Sequence, residues 1–375
     1  MVDLALRMLL HDKLKFFITV AGVAFAVTLV LVQVGLFIGL LDNATVTIEN
    51  TRADIWVTSK ETPNIDFAHQ FSDSFVERVR SAPGVTQADN LIVNFLTISL
   101  PSGAQEGVIV YGLRNFRDWN LPWNVKDGNL SDLRRGRFLF LDDSAVRRYG
   151  PFAVNQYREI QQTRFKIIGR TADAKSFTTT PIAFMDFDRA QALSAENLQG
   201  QTSYILVKVA PGADLQAVKA EIQRRLPHND VYLKDEWARR SRNYWIVSTG
   251  LGLNLFVTVF LGCMVGLVVV AQTLYSSTME HIKEFGTVKA IGGGNSDIYR
   301  LLAEQATVAA AVGYLLGVAQ AFAVQPLVHK IDLKLMIPDG FLLVVFIGSL
   351  LMCLGAALIS FRKVAGIDPA LVFRT

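Results

Sequence analysis

Four long apolar runs constrain this chain more than any other feature. They cover about residues 16–41, 246–274, 306–324 and 341–361, and each has the ~20 residues that a helix needs to cross a bilayer. With 51% hydrophobic and 19% charged residues, the chain is too apolar for a typical soluble protein and too charged to lie in a membrane throughout. The sequence therefore predicts four transmembrane helices, with an extracytoplasmic domain inserted between helices 1 and 2.

The first apolar run is predicted to be a retained span rather than a cleaved signal peptide. Residues 16–41 are about twice as long as the apolar region of a signal peptide, and no small-residue cleavage site follows them. Ahead of this run, over residues 1–15, a polar residue recurs at every fourth position, which predicts an interfacial helix. These residues are Asp3, Arg7, His11 and Lys15. The alternative is that this segment extends the first span into solvent.

Basic residues at the two ends of the chain predict its orientation. Four spans place both ends on one side of the membrane, and the positive-inside rule makes that side the cytoplasm. The basic residues are Arg7, Lys13, Lys15, Arg362, Lys363 and Arg374. The loop 275–305 and the tail 362–375 then face the cytoplasm, whereas 42–245 and the short loop 325–340 lie outside.

The long segment 42–245 contains two strand–helix–strand patterns separated by an insertion. The halves, about 43–113 and 201–245, predict an α+β sandwich, and the insertion, about 114–200, predicts a small β-rich subdomain. The first half has a strand at Ala53–Ser59, a helix at Ser72–Ser81, one or two strands over Val85–Leu100 and a strand at Gly107–Leu113. The second half has Ser203–Val209, a helix at Ala213–Leu226 and Asp230–Leu233. The insertion has strands at Phe138–Leu141, Arg164–Gly169 and Pro181–Met185.

The sequence shows no catalytic or metal-binding pattern. Gly292-Gly293-Gly294 is not followed by Lys-Ser/Thr and no Walker A sequence occurs, so we expect no ATP hydrolysis by this chain. The five histidines have no ligand spacing, so we expect no metal. The net charge of +4 is spread without a basic run, which argues against nucleic acid. Cys263 and Cys353 both lie in apolar runs, so no disulfide framework is predicted.

The spans themselves lack the residues of an ion-driven transporter. No Asp, Glu, Lys or Arg lies near the middle of any run, although a proton or ion pathway would be expected to carry one. We therefore expect energy to arrive from a partner ATPase. Glycines recur four positions apart in three of the runs, which suits close packing within one bundle or between two copies. The pairs are Gly35 and Gly39, Gly262 and Gly266, and Gly313 and Gly317.

The connection between the second and third runs is the candidate functional site. Within Tyr275–Glu304, apolar residues recur at every third position beside charged ones, which predicts a short surface helix with a polar face. Three glycines at 292–294 would end this helix, and Asn295 or Ser296 would cap the next one. A charged helix between two spans is well placed to receive a push from a soluble partner. The alternative is an ordinary loop with a helical turn.

Three stretches resemble the MacB/FtsX-type permeases, the membrane subunits of a class of ABC systems. The string EFGTVKAIG at 284–292, followed by Glu304, resembles the cytoplasmic coupling segment of that family. The string RKVAGIDPA at 362–370 is similar to its closing motif, and the first forty residues resemble its amphipathic N-terminal helix and first span. In size and in its plain hydrophobic ends, the chain is most similar to the DevC-type exporters of that family.

The resemblance implies a permease subunit of a bacterial ABC exporter that acts as a homodimer in the inner membrane. A cytoplasmic ATPase dimer would bind ATP and Mg²⁺, and this chain would hold no cofactor. Movement of the ATPase would pass across the membrane and expel substrate from the periplasm or outer leaflet. A periplasmic adaptor, an outer-membrane channel and membrane lipid are the other expected partners.

If the chain transmits movement in this way, the ATPase contact is predicted to lie on its cytoplasmic face. The principal positions lie on or beside the predicted surface helix, and three more lie in the closing motif at the same cytoplasmic face. They are Glu280, Lys283, Glu284, Gly286, Lys289 and Gly292, with Arg362, Asp368 and Pro369.

Two other classes of function are compatible with the sequence. The first is an FtsX-like transmembrane lever that activates a periplasmic cell-wall hydrolase and transports nothing. The second is a membrane-tethered receptor without an energy source, with which no ATPase would co-purify. The sequence leaves the substrate open among lipid, glycolipid, peptide, haem and drug.

Overall fold

The four apolar runs form four long helices in the computed structural model, which describes residues 12–193, 198–290, 293–331 and 333–365. All four are long and apolar enough to cross a membrane. These first to fourth spans cover Lys13–Asn43, Leu251–Glu280, Asn295–Lys330 and Asp339–Ala365. The predicted interfacial helix lies outside the described residues up to position 11, and Lys13 already belongs to the first span.

Glycines allow the spans to pack closely against one another. Gly317 of the third span faces Val27 of the first, where an added Cβ would lie 2.7 Å from the valine Cβ. Three further glycines approach the first span in the same way, namely Gly262, Gly266 and Gly313. Because these contacts lie within one copy of the chain, packing of a single bundle accounts for these glycines.

Gly35 and Gly39 of the first span contact a loop instead of another helix. The Met336 N–H donates to the Gly35 carbonyl oxygen at 3.1 Å. A Cβ at Gly39 would lie 1.8 Å from the carbonyl oxygen of Lys334. These two glycines therefore admit the backbone that precedes the fourth span.

Residues Leu40–Leu251 form a second unit, built on one ten-stranded sheet. The sheet order is β12-β1-β11-β3-β4-β9-β6-β8-β5, with β7 paired to β3 and β8, while β2 and β10 pair separately. The strands are β1 (Ile55–Ser59), β2 (Phe71–Ser72), β3 (Val85–Ser99), β4 (Gln105–Leu113), β5 (Val125–Asp127), β6 (Phe138–Asp142), β7 (Tyr157–Ile160), β8 (Thr163–Thr171), β9 (Ile182–Asp186), β10 (Gln201–Thr202), β11 (Tyr204–Val209) and β12 (Asn229–Leu233).

The two predicted halves interleave in this sheet. Strands β12, β1, β11 and β3 are neighbours in that order and every neighbouring pair is antiparallel, as in a split βαβ arrangement. The helix Phe75–Arg80 connects β1 to β3, and Leu215–Arg225 connects β11 to β12. Both helices contribute to one apolar cluster with β1 and β11. The remaining helices of the unit are Val46–Asn50, Leu130–Arg135 (3₁₀), Ala145–Tyr149, Phe187–Leu193, Lys234–Asn243 and Tyr244–Ser248 (π).

The insertion 114–200 contributes strands β5 to β9 to the same sheet. Strand β3 is one 15-residue strand whose first part pairs with β11 and whose second part, from Ile92 onward, pairs with β4. The other edge of β4 pairs in parallel with β9 of the insertion, since an uncovered edge offers free N–H and C=O groups. The predicted fold class, four transmembrane helices with an α+β domain inserted between the first two, is confirmed.

Candidate coupling surface between the second and third spans

A short helix follows the second span, in agreement with the periodicity of the sequence. The second span ends at Glu280, His281 forms a turn, and the helix Ile282–Ala290, here called the surface helix, comes next. Phe285 of this helix is 3% exposed and belongs to the same apolar cluster as Leu301 and Leu302 of the third span. One face of the surface helix is therefore anchored in the bundle.

The other face of the surface helix is polar and exposed. Lys283, Glu284 and Thr287 are exposed, as is Glu280 just before the turn. The side chains of Glu280 and Glu284 are 59% and 61% exposed. The Lys283 ammonium forms no ion pair or hydrogen bond with any residue that the structure describes. These side chains are accessible to a partner, and Lys283 is free to form an ion pair with one.

Two residues at the start of the first span join this charged group. The Lys15 ammonium pairs with the Glu280 carboxylate and lies 3.3 Å from Asp12. The His281 imidazole contacts the Glu284 carboxylate and lies 3.9 Å from Asp12. Asp12, Lys15 and His281 were not predicted as residues of the site. One signal could have identified them. In a chain with four spans, the start of the first span and the end of the second lie at the same end of the bundle.

The start of the third span is capped differently from the prediction. The Gly294 N–H donates to Asp297 Oδ2 at 2.9 Å, and the Asp297 N–H donates to the Gly294 carbonyl oxygen at 3.1 Å. The N-cap is therefore Gly294, and the prediction of Asn295 or Ser296 was wrong. The carboxylate three positions into the helix reaches back to the free N–H, as the acidic residue of a capping box does.

The structure describes only some of the remaining residues predicted to contact the ATPase. Gly286 lies in the surface helix and is buried. Lys289 lies in the surface helix and Arg362 in the fourth span, but their side chains lie outside the description. Gly292, Asp368 and Pro369 also lie outside the described residues.

The ends of the other spans pack together beside the surface helix. The Tyr299 ring of the third span lies edge-on to Phe361 of the fourth, with 5.6 Å between centroids. Ser360 Oγ donates to the Ala271 carbonyl oxygen of the second span at 3.1 Å. A displacement of the surface helix therefore acts on closely packed spans, and packed interiors transmit strain.

A bundle of four membrane-type helices, with an α+β domain after the first and a charged surface helix after the second, is the architecture of a multi-pass membrane protein. The chain belongs to the MacB/FtsX-type family of ABC transporter permeases. Residues 16–225 match the family model described as MacB-like periplasmic core domain, and residues 255–369 match that of the FtsX-like permease C-terminal. The family predicted from the sequence is confirmed.

Curated relatives of the chain are also named as ABC transporter proteins. The macrolide export ATP-binding/permease protein MacB of Agrobacterium fabrum is 27% identical over 241 residues, which cover 61% of this chain and 37% of that protein. An ABC transporter permease of Methanocaldococcus jannaschii is 24% identical, over 53% of this chain and 54% of that protein. An ABC transporter permease of Mycobacterium tuberculosis is 23% identical, over 100% of this chain and 99% of that protein. The chain thus spans about a third and about half of the first two relatives.

Two solved structures are similar to part of the chain. The extracellular domain of the ABC-type transporter YknZ from Gram-positive bacteria has a TM-score of 0.37 and 14% identity, over 49% of this chain and 100% of that chain. The periplasmic region of MacB from Actinobacillus actinomycetemcomitans has a TM-score of 0.39 and 11% identity, over 50% of this chain and 89% of that chain.

Proposed function

We propose that this chain is the permease subunit of a bacterial ABC exporter. A separate cytoplasmic ATPase would supply the movement, and substrate would leave from the periplasm or outer leaflet. The observation that carries the proposal is the surface helix, which exposes Lys283 and Glu284 while Phe285 anchors it in the bundle. A helix with an exposed charged face and a buried apolar face can accept a push from a partner and pass it to the spans.

The ion pairs beside the surface helix support this transmission. Lys15 of the first span contacts Glu280 at the end of the second span, and His281 in the turn contacts Glu284 of the surface helix. The first contact joins the two spans that flank the α+β domain, and the second joins the turn after the second span to the surface helix. A displacement beneath the membrane would therefore act on the first and second spans together.

The proposed partners are inferred from the lack of a Walker A sequence and from the family. No Walker A sequence occurs in it, so ATP and Mg²⁺ would be bound by the partner ATPase. A dimer of this chain would match two ATPase subunits by twofold symmetry. A periplasmic adaptor and an outer-membrane channel would complete a DevC-like exporter in the inner membrane, with both termini of the chain in the cytoplasm.

Export can be tested by comparing cells that differ only in whether the partner ATPase hydrolyses ATP. The chain is expressed either with its wild-type ATPase or with an ATPase variant that binds but does not hydrolyse ATP, and small molecules, lipids and peptides in the medium are quantified by mass spectrometry. We expect at least one class of compound to fall in the medium of the hydrolysis-deficient cells. Unchanged medium together with altered cell-wall fragments would contradict export and identify the FtsX-like lever.

A further inference from the structure

Asp66 is a carboxylic acid enclosed in the core of the α+β unit. The residue is only 7% exposed. Its carboxyl oxygen Oδ2 is buried and has no hydrogen-bond partner among the described residues. If this carboxyl group were ionised, it would have fewer hydrogen bonds and opposite charges nearby than a buried carboxylate requires.

The turn that carries Asp66 is fixed to the sheet. The Asn64 side-chain oxygen accepts hydrogen bonds from the N–H groups of Asp66 and Phe67, at 2.8 and 3.0 Å. The Tyr204 hydroxyl of β11 donates to the carbonyl oxygens of Asn64 and Ile65, at distances of 3.1 and 2.9 Å. The backbone on both sides of Asp66 is therefore held in place by these contacts.

The same turn and the Phe177 loop enclose Trp245. The Phe177 ring stacks on the Trp245 ring with 3.9 Å between centroids and 11° between planes. The Phe67 ring lies 5.8 Å from the Trp245 ring. Trp245 is 6% exposed. We call Asp66, Phe67, Phe177 and Trp245 the clasp.

The clasp holds the chain shortly before the second span begins. Trp245 lies in the π-helix Tyr244–Ser248, and Gly250 follows with a φ of +71° before the span starts at Leu251. π-helical turns are rare and are frequently found at functional sites. The clasp therefore holds the segment that connects the α+β unit to the second span.

The surroundings of Asp66 favour its neutral form. Burial raises the pKa of Asp66 to about 7, and the Phe177 N–H offsets only part of this effect. The titratable groups that face it are the phenols of Tyr111 on β4 and Tyr204 on β11. Burial, and to a smaller extent the Asp66 charge, raises the pKa of both phenols. Both phenols are therefore neutral near pH 7, and no described cationic group contributes to the pKa shift of Asp66.

We propose that Asp66 is an extracytoplasmic proton-binding site that controls the clasp around Trp245. With the proton bound, the carboxyl group is neutral and the clasp is closed. Loss of the proton leaves a poorly compensated charge in the core, which favours opening of the turn towards water. The stability of the closed clasp, and therefore of the segment before the second span, would then depend on the pH outside the membrane.

The direction of the pH dependence follows from the raised pKa. A group that binds its proton more tightly in the closed form stabilises that form at low pH. The stabilisation is complete below the ordinary pKa of 3.8 and is lost as the pH rises through about 7. Opening is therefore expected to become about tenfold more frequent between about pH 6 and about pH 8.

Hydrogen–deuterium exchange of the full chain in lipid nanodiscs tests the site. Exchange is followed in peptides covering 174–180 and 244–249 over this pH range, after correction for the chemical exchange rate. We expect the opening frequency to rise in the wild type and to be independent of pH in Asp66→Asn, which stays neutral and keeps a side-chain oxygen of similar size and position. Glu77→Gln removes an exposed carboxylate of the same unit and should retain the wild-type profile.

A wild-type profile that is flat, or an Asp66→Asn profile with the wild-type slope, would overturn the proposal. Should Asp66→Asn fail to fold, the wild-type profile still decides, together with the infrared band of a protonated carboxyl group. This band should be lost between about pH 6 and about pH 8, and its absence at the lower pH would equally contradict the site. Neither measurement requires the ATPase, so failure of the proposed export function would leave the result intact.

Discussion

Lys283→Glu is expected to weaken association with the partner ATPase at least about tenfold, because a like-charge contact costs several kcal/mol and about 1.4 kcal/mol corresponds to a factor of ten. Lys283 is exposed and lies beside Glu280 and Glu284. Reversal of its charge makes this part of the surface helix uniformly acidic. Co-purification of the ATPase with the tagged chain, quantified at several salt concentrations, measures the effect.

Lys60→Glu is the matched control for this substitution. Lys60 is also exposed, but it lies in the α+β unit immediately after β1. The two variants carry the same change in net charge, so only a local contact distinguishes them. Equal recovery of the ATPase with both variants would contradict the assignment of the surface helix to the ATPase contact.

Gly39→Ala is expected to lower the thermal stability of the spans strongly. The new Cβ would lie 1.8 Å from the Lys334 carbonyl oxygen and 2.7 Å from its carbonyl carbon, so the loop backbone has to move. Overpacking of this kind typically costs about 1–3 kcal/mol. Size-exclusion chromatography after heating, with the remaining monodisperse fraction plotted against temperature, measures the loss.

Gly348→Ala provides the comparison within the spans. A Cβ at Gly348 of the fourth span meets nothing within 4 Å, and alanine in a helix interior is favoured over glycine by about 0.5–1 kcal/mol. This variant should therefore unfold at the wild-type temperature or above it. If Gly39→Ala unfolds at the same temperature as Gly348→Ala, the close approach between the first span and the loop is wrong.

The sequence predicted those features that depend on local patterns. Each span is an apolar run long enough to be recognised by itself, and the surface helix follows from the spacing of Ile282, Phe285 and Val288. Most strands of the α+β unit appear within two residues of their predicted ends because alternation and turn residues mark them. None of these features requires knowledge of a distant contact.

Features that depend on distant contacts were not predictable in this way. The parallel pairing of β4 with β9 is set by backbone groups that carry no sequence signal. Trp119 is buried, and its Nε1–H donates to Asp89 Oδ2 at 2.8 Å, a contact between residues 30 positions apart in the sequence. Asp66 lies in a polar stretch typical of an exposed loop, and its burial results from Tyr204 and Phe177, which are distant in sequence.

The proposed transmission of movement requires the surface helix to lie in the cytoplasm and the α+β unit to lie outside. Single cysteines introduced by Lys283→Cys or Lys60→Cys, in a chain whose Cys263 and Cys353 are replaced by serine, can be probed on spheroplasts with a membrane-impermeant maleimide. We predict that Lys60→Cys is labelled on intact spheroplasts and that Lys283→Cys is labelled only after the membrane is permeabilised. Labelling of Lys283→Cys on intact spheroplasts would contradict the account.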